Sequence, residues 1–326
     1  MARGADLDEL RKRSWVRPMV AAAALAAIAL AAIGPELRDD AVPHRDDAVP
    51  LRDEALALAG PVETLEPSRA DPKPALPRPL PGAAAMQEAW KFARRRGGQV
   101  SFAVVDTQGR MRTREGGRLY PSASVVKAML LVAELRRLKD LGLPLDPATE
   151  DLLEAMITYS DNDAADSIYA RVGDPGLVAV AQSTGMRRFT VAGYWGNAQV
   201  TAADLARFFS RVRELLPRPY RRRGLRLLAS VIPEQRWGVP RAARGSWTVH
   251  FKGGWRDTER GELVHQAAWL KDGDRELAIA VLTDAQPSQL HAIHTVRGIA
   301  DRLLRSPRRA SSRGSGSRAG TPGWSR

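Results

Sequence analysis

The sequence predicts an α+β domain in which an antiparallel five-stranded sheet is flanked by helices and joined to an all-α lobe. Strand patterns occur at both ends of the domain, and a long helical block separates them. The expected strands are 99–106, 110–115, 247–252, 263–270 and 276–283. Strands from the two ends are therefore expected to meet in one sheet, with a cleft where the sheet joins the helical lobe.

The helices are predicted from apolar periodicity. A first helix is expected from Ala84 to Arg95, a helical block runs from 124 to about 230, and a closing helix spans 287–304. The glycines expected to end helices within the block are Gly142, Gly173 and Gly185. Asp272-Gly273 favours a hairpin turn between the last two strands, since both residues tolerate the backbone conformation that such a turn requires.

Composition excludes several functions. The formal net charge is +13, but 43 of the 50 basic residues are arginine, and no basic stripe interleaved with aromatic residues accompanies them. Nucleic acid is therefore not an expected partner. The absence of cysteine excludes disulfides and thiolate chemistry. No metal site or other cofactor is predicted, because the histidines show no ligand spacing beyond one i, i+3 pair, His291 and His294.

The N-terminal segment has the pattern of an export signal. Residues 1–17 carry basic side chains, and residues 18–35 contain no charge and are mostly Ala, Leu and Ile. The basic flank is expected to stay in the cytoplasm, which places the rest of the chain outside the cytoplasmic membrane. The sequence leaves open whether residues 18–35 are a cleaved signal peptide or an uncleaved membrane anchor.

Three further segments are expected after the signal. Residues 36–83 are predicted to be a proline-rich linker. A seven-residue repeat in the linker begins at Arg38, Arg45 and Arg52. Proline between the copies argues against a coiled coil, so a solvated spacer is expected. The folded domain is expected at 84–305, and residues 306–326, composed mainly of Ser, Gly and Arg, are expected to be a disordered tail.

The first motif that carries chemistry is Ser124-Val125-Val126-Lys127. Residues three apart lie on one helix face, so the amine of Lys127 is expected next to the hydroxyl of Ser124. A serine hydroxyl becomes a useful nucleophile when a neighbouring base takes its proton, and a neutral amine in a dry cleft is such a base. Lys127 and Lys252 are two of only seven lysines in an arginine-rich chain, which indicates that these positions require an amine.

Two further motifs follow along the chain. Ser160-Asp161-Asn162 stands between helical stretches, where these residue types are also ordinary turn and cap residues. Lys252-Gly253-Gly254 ends a predicted strand, where glycine lets a substrate backbone approach the sheet edge. Each motif alone is a weak signal. Their order and structural context together predict that one cleft gathers all three.

In this order the motifs resemble the S-x-x-K, S-D-N and K-T-G signature of the class A β-lactamase and penicillin-binding protein (D,D-peptidase) superfamily. The resemblance covers most of 84–305, including Trp247-Thr248-Val249 before the third motif. It implies a β-lactamase/transpeptidase-like fold. It also implies a serine hydrolase that forms an acyl-enzyme with β-lactams or D-alanyl peptide-like substrates.

The resemblance implies catalytic roles for three side chains. Ser124 would be the acylated nucleophile, Lys127 the base that activates it, and Ser160 the group that passes a proton to the leaving nitrogen. The oxyanion hole would consist of the backbone N–H groups of Ser124 and Trp255.

Substrate-binding roles are implied for the second and third motifs. Asn162 would hold the side-chain amide of the substrate, and Lys252 would attract the substrate carboxylate and tune Ser160. Gly253, Gly254 and Trp255 would form the strand edge beside the substrate. The tryptophans that could line the cleft, although core packing is expected for most of them, are Trp195, Trp237, Trp247, Trp255 and Trp269.

The chain departs from the family pattern in three places. Gly253 replaces the usual hydroxyl residue of the third motif, which removes one hydrogen bond to the substrate carboxylate. The interval from Ser124 to Ser160 is shorter than in typical class A enzymes, so a trimmed α lobe is expected. The family's E-x-x-L-N segment is missing, because residues 187–200 contain no Asp or Glu. In the family that glutamate activates the deacylating water, so slow deacylation is expected here.

Three functions are compatible with the sequence. The first is an exported serine hydrolase of β-lactamase type that turns over β-lactams slowly or is trapped by them. The second is a D,D-peptidase, transpeptidase or small-ester hydrolase. The third is a catalytically silent cell-wall-binding domain on a proline-rich stalk. In each case a monomer is expected, associated with the cytoplasmic membrane through residues 18–35 if these stay uncleaved.

Overall fold

The computed structural model describes residues 81–106 and 108–305. Within these residues, seven strands form two sheets. In chain order the strands are β1 (Gln99–Val105), β2 (Met111–Arg114), β3 (Tyr120–Pro121), β4 (Gln199–Val200), β5 (Thr248–Thr258), β6 (Gly261–Asp272) and β7 (Arg275–Gln286). Five of them pair antiparallel in the order β2-β1-β7-β6-β5, and β3 pairs with β4. The predicted five-stranded antiparallel sheet is confirmed.

Nine α-helices lie in this described part of the chain. They are α1 (Ala83–Arg94), α2 (Lys127–Asp140), α3 (Pro147–Glu154), α4 (Asn162–Thr184), α5 (Ala202–Ser210), α6 (Val212–Leu215), α7 (Arg221–Ala229), α8 (Val239–Ala242) and α9 (Gln289–Leu304). Gly142 and Gly185 follow helix ends with φ of 65° and 70°, as predicted. At Gly173 the backbone leaves the helical conformation and breaks α4.

Both faces of the sheet are buried. Along β7, Ile279 and Val281 belong to a core shared with α1 and α9, whereas Ala280 and Leu282 belong to the core of the helical lobe. Successive side chains of a strand point to opposite faces, so this alternation makes the sheet the wall between two cores. The β6–β7 hairpin turns at Gly273, whose φ of 58° is a conformation that glycine adopts without strain.

Strand β5 is longer than the sequence predicts. The glycine pair of the third motif was expected to end the strand at Lys252, but β5 continues to Thr258. Its backbone keeps pairing with β6 through Gly253, opposite Gln266, and through Gly254, opposite His265. Glycine lowers intrinsic strand propensity, yet a neighbouring strand supplies hydrogen bonds whatever the side chain is. The third motif therefore lies within an edge strand.

Helix α2 is the central helix of the lobe, and two of its charged residues are fully buried. Lys127 begins the helix, and Glu134 lies two turns further along it. Glu134 accepts hydrogen bonds from Arg137 at 2.7 and 2.8 Å and from Arg171 of α4 at 3.3 Å. Glu134 therefore ties α2 to α4 by charge as well as by packing.

We expect Glu134→Ala to lower the free energy of unfolding by about 2–4 kcal/mol. The replacement removes a buried carboxylate from two guanidinium partners and leaves a cavity. The side chains of Arg137 and Arg171 are 28% and 34% exposed, so water offsets part of the loss. Urea unfolding followed by circular dichroism measures the effect.

Asp140→Ala, at the end of the same helix, is the matched control. Asp140 pairs with Lys139 at 3.2 Å, and both side chains are more than half exposed. Its replacement is expected to change the free energy of unfolding by less than about 0.5 kcal/mol. Equal effects of the two replacements would show that Glu134 is not a structural tie.

The segments predicted before and after the domain lie outside the described residues. They are the basic segment 1–17, the signal or anchor at 18–35, nearly all of the linker 36–83, and the tail 306–326. Across 81–106 and 108–305, no helix combines the length and apolarity needed to cross a membrane. The same residues contain no cluster of three or more His, Asp or Glu arranged to hold a metal ion.

Candidate active site

Ser124 lies in a 3₁₀ turn, Ala123–Val126, that leads directly into α2. Ala123, the residue before it, has a φ of 45°, in the left-handed region that residues with a side chain rarely adopt. The turn packs against β5, which is the last strand of the sheet and so presents a free edge. Ser124 is half-buried, and its hydroxyl makes no hydrogen bond within the part of the chain that is described. The hydroxyl predicted to be the nucleophile is thus unengaged within the described residues.

Gly254 marks the closest approach of β5 to this turn. A Cβ at position 254 would lie 2.8 Å from the backbone nitrogen of Ser124 and 2.7 Å from that of Val125. Only glycine therefore lets the strand edge and the N–H of Ser124 lie side by side. Gly253 differs, because a Cβ there would lie 3.5 Å from the ring of Trp237, an ordinary van der Waals distance.

His265 of β6 holds the chain just before the turn. Its ring is fully buried, with Nε2 donating to the carbonyl of Pro121 at 3.1 Å and Nδ1 accepting from the N–H of Thr283 at 3.3 Å. Burial lowers the pKa of His265 to about 4, so the ring stays neutral with one donor and one acceptor. Sequence analysis missed this positioning residue, because a lone histidine in a strand belongs to no motif.

Lys252 joins the third motif to the second. Its Nζ donates to the hydroxyl of Ser160 at 2.9 Å and to the carbonyl of Gly253 at 3.1 Å. Ser160 has a φ of 62° and ends a π-helical turn, Ala155–Tyr159. Lys252 is fully buried. This burial, followed by the positive charge of Lys127, holds the pKa of its ammonium well below the usual value.

Lys127 is likewise buried, and its Nζ donates to three oxygens of the second motif. They are the carbonyl of Ser160 at 2.6 Å, the carbonyl of Asp161 at 3.0 Å and Oδ1 of Asn162 at 2.8 Å. Burial lowers the pKa of Lys127 to about 8, although the carboxylates of Asp161 and Asp166 oppose the shift. Three donated hydrogen bonds fit an ammonium, since a neutral amine has only two N–H groups.

The contact expected between the amine of Lys127 and the hydroxyl of Ser124 is not found among the described residues. No hydrogen bond joins the two side chains within the residues described, because the second motif takes all three donors of the amine. Loss of one proton releases one of these partners and leaves a lone pair that a hydroxyl can use. The three contacts of Nζ therefore match the protonated form of Lys127, and a pKa of about 8 makes its neutral form accessible near neutral pH.

Asn162 and Trp255 complete the set of predicted site residues. Asn162 begins α4 and is exposed, and its carbonyl oxygen accepts from Lys127, which leaves the N–H groups of its amide for a ligand. Asp161 caps the same helix by accepting from an N–H of its first turn at 2.7 Å. Trp255, half-buried on β5, packs edge-on against Trp237 with ring centroids 6.0 Å apart.

Residues 187–200 form a loop beside Lys127, called here the tryptophan loop. Trp195 is 2% exposed, and the centroid of its ring lies 4.7 Å from Nζ of Lys127. Its indole N–H donates to Oδ1 of Asp166 at 2.6 Å. Core packing was the expectation for most tryptophans, whereas Trp195 covers the amine of the first motif. The signal for this was its position in the segment that lacks the family's glutamate.

Comparison with known proteins agrees with this geometry. A model of the beta-lactamase enzyme family matches residues 138–306, just over half of the chain. The chain belongs to the beta-lactamase enzyme family. The matched residues contain the second and third motifs of this β-lactamase-family protein, and Ser124 and Lys127 lie before them. The structure shows that the first motif lies beside the other two.

Solved structures with the fold of this β-lactamase-family protein include class A β-lactamases. The last common ancestor of the class A enzymes of Gram-negative bacteria is 23% identical, with a TM-score of 0.58 over 68% of this chain and 98% of that chain. The β-lactamase of Sphaerobacter thermophilus is 20% identical, with a TM-score of 0.60 over 69% and 97%. A β-lactamase of Xanthomonas campestris pv. campestris is 15% identical, with a TM-score of 0.59 over 68% and 96%. A search of curated proteins found no match.

Proposed function

We propose that this β-lactamase-family protein forms an acyl-enzyme on Ser124 with β-lactams or D-alanyl peptide-like amides and releases the acyl group slowly. The observation that carries the proposal is the meeting of three motifs at one place. The turn of Ser124 lies against Gly254, and both buried lysines donate to oxygens of Ser160. A nucleophile, a base with a lowered pKa and a proton donor are thereby within reach of one substrate.

Acylation starts from the neutral form of Lys127. The amine takes the proton of Ser124, whose Oγ bonds to the carbonyl carbon of the substrate while the carbonyl oxygen becomes negative. The backbone N–H groups of Ser124 and Trp255 would stabilise that oxygen. The carbon–nitrogen bond then breaks, Ser160 gives its proton to the leaving nitrogen, and the proton first taken from the nucleophile replaces it.

Lys252 would act through Ser160 rather than on the reacting carbon. Its buried Nζ donates to the hydroxyl of Ser160 at 2.9 Å, so this hydrogen bond stabilises negative charge on that oxygen when the proton leaves. In its protonated form Lys252 would also attract a substrate carboxylate. Gly253 supplies no hydroxyl to that carboxylate, so binding of the substrate carboxylate would depend more heavily on Lys252.

Slow release is supported by the surroundings of Lys127. The tryptophan loop contains no Asp or Glu, so it offers no carboxylate to activate water. Asp166, whose charge influences the pKa of Lys127, already accepts a hydrogen bond from Trp195. Acylation and deacylation are thus separable in this site, and a long-lived adduct follows.

The place of action is part of the same proposal. The domain would act outside the cytoplasmic membrane as a monomer, either anchored by residues 18–35 or released after their cleavage. The support is the basic segment 1–17 followed by an uncharged apolar stretch. A peptidoglycan-like substrate is found on that side of the membrane.

Labelling with a fluorescent penicillin, followed by intact-mass measurement, tests the acyl-enzyme. We expect one adduct per protein molecule, complete loss of the adduct in Ser124→Ala, and persistence of the adduct after free drug is removed. Circular dichroism of the variant confirms that it is folded. Rapid clearance of penicillin without accumulation of an adduct would contradict slow release.

The same labelling separates the other functions. Labelling of Ser124 by a fluorophosphonate alone would favour a small-ester hydrolase, and labelling by neither probe would favour a catalytically silent cell-wall-binding domain. A transpeptidase is the second candidate, favoured by the loop without a carboxylate, which hinders attack by water. Transfer of the acyl group to an added D-amino acid would demonstrate that activity.

A further inference from the structure

The tryptophan loop is closed on itself. At its start, the carboxylate of Asp204 accepts from the backbone N–H groups of Arg187 and Arg188 at 2.9 and 3.1 Å. Further along, Thr190 and Gln199 exchange two backbone hydrogen bonds, at 3.2 and 2.7 Å. The segment is therefore a compact loop whose ends lie together, rather than an open connection between helices.

The tryptophan loop is also hydrogen-bonded to two elements that border the site, the chain just before Ser124 and strand β5. Ser122 lies just before the 3₁₀ turn Ala123–Val126, called here the nucleophile turn. It donates from its N–H to the carbonyl of Ala198 at 2.7 Å and from Oγ to the carbonyl of Trp195 at 3.1 Å. On the side of β5, Arg256 donates to Oδ1 of Asn197 at 2.9 Å. These contacts hold the backbone at position 195 in place relative to the nucleophile.

The indole of Trp195 occupies the space beside the amine of Lys127. The side chain is almost completely buried, with its ring face toward Nζ at 4.7 Å from the centroid. Its N–H forms a charge-assisted hydrogen bond to Asp166. A water that attacks the acyl ester must lie next to a base, and here an apolar ring covers one side of the base that the site offers.

We propose that Trp195 is a shield whose ring keeps water away from the Lys127 side of the acyl ester, so that the acyl-enzyme persists. The inference rests on the proposed function and adds a cause of slow release that is separate from the missing carboxylate. A missing carboxylate slows release whatever fills the space beside the amine. A shield slows release only while the ring is there.

The step that the shield suppresses is hydrolysis of the ester. A water oxygen bonds to the ester carbon while the neutral amine of Lys127 takes one of its protons. The carbon–Oγ bond then breaks, the protonated amine returns a proton to Ser124, and a free carboxylic acid leaves. Removal of the ring opens a space bordered by the amine and by the carboxylate of Asp166, which is polar enough to hold water.

The test compares loss of the penicillin adduct in Trp195→Ala and in Tyr194→Ala. Tyr194 is a matched control, because it lies on the same loop, contacts the ring of Trp195 at 5.1 Å between centroids, and is 42% exposed. Each protein is loaded with fluorescent penicillin, freed from excess drug and followed by intact mass. We expect Trp195→Ala to lose its adduct faster by on the order of tenfold or more, and Tyr194→Ala to match the native rate.

Each outcome has a meaning. Adduct loss from Trp195→Ala at the native rate would overturn the shield while leaving the proposed function intact, since the adduct had formed. Equal acceleration in Tyr194→Ala would also overturn it, because loosening of the loop would then be the cause. No adduct on the native protein would overturn the proposed function and this inference together. If Trp195→Ala does not fold, Trp195→Leu keeps an apolar side chain in the core but removes the aromatic ring from beside the amine, and an unchanged rate of adduct loss there would overturn the shield.

Discussion

Replacement of Lys127 by alanine is expected to slow acylation of Ser124 by about 10²–10⁴-fold, the usual contribution of a general base. The amine begins α2, one turn after the nucleophile, and burial lowers its pKa to about 8. A neutral amine is therefore populated near neutral pH in this site, whereas an exposed lysine would remain almost fully protonated. The second-order rate of labelling by fluorescent penicillin measures the effect.

The pH dependence of labelling by the native protein belongs to the same prediction. Only the deprotonated amine of Lys127 can take a proton, so the rate is expected to rise with pH below about 8 and to level off above it. The charge of Lys127 also depresses the pKa of Lys252. The profile therefore describes the pair of lysines rather than one group. A group with a pKa of about 8 titrates between about pH 6 and 9. A labelling rate that does not change over this interval would contradict the assignment.

Lys127→Arg is the matched control for charge. A guanidinium keeps the positive charge but effectively never deprotonates. We expect Lys127→Arg to acylate as slowly as Lys127→Ala and to lose the rise with pH. If Lys127→Arg were labelled at the native rate, positive charge rather than proton acceptance would be the requirement at this position.

Gly254→Ala is expected to slow acylation by about 10²–10³-fold, the cost of losing one donor of an oxyanion hole. The new Cβ would lie 2.8 and 2.7 Å from the backbone nitrogens of Ser124 and Val125. Backbone atoms cannot swing aside as the end of a flexible side chain can. The nucleophile turn must therefore move away from β5, which separates the N–H of Ser124 from that of Trp255.

Gly253→Ala provides the comparison, because it adds the same methyl group one residue earlier on the same strand. Its Cβ would lie 3.5 Å from the ring of Trp237, so we expect acylation close to the native rate. Labelling rates, together with thermal unfolding of both variants, measure the difference. Equal acylation rates in the two variants would refute the close approach at Gly254 as a requirement for catalysis.

The fold could be predicted where a pattern extends over many residues. Strands β6 and β7 are long apolar runs joined by Gly273-Asp274, one residue later than the predicted Asp272-Gly273 turn, so their pairing followed from composition and turn chemistry. The extension of β5 past Gly254 could not be predicted in this way. Hydrogen bonds from β6 hold those residues in the strand, and a partner strand is not visible in local sequence.

Within the site, sequence indicated which residues meet but not how they are bonded. Motif order placed Lys127 with Ser124, yet its amine donates to Ser160, Asp161 and Asn162. The left-handed conformation of Ser160 is imposed by the helix junction, and serine has no intrinsic preference for it. The direction of a carbonyl group depends on such backbone angles. The type of a single residue does not determine its backbone angles, so these hydrogen bonds could not be predicted.

The nucleophile turn, the Ser160 junction and strand β5 come from three separate stretches of chain that only the finished tertiary structure unites. A polypeptide that has not yet closed its sheet carries the same side chains without their joint reactivity. On the proposed function, susceptibility to an acylating drug is thus acquired at the end of folding. Adduct formation in a growing culture would consequently report the amount of folded domain and overlook chains that have not yet folded.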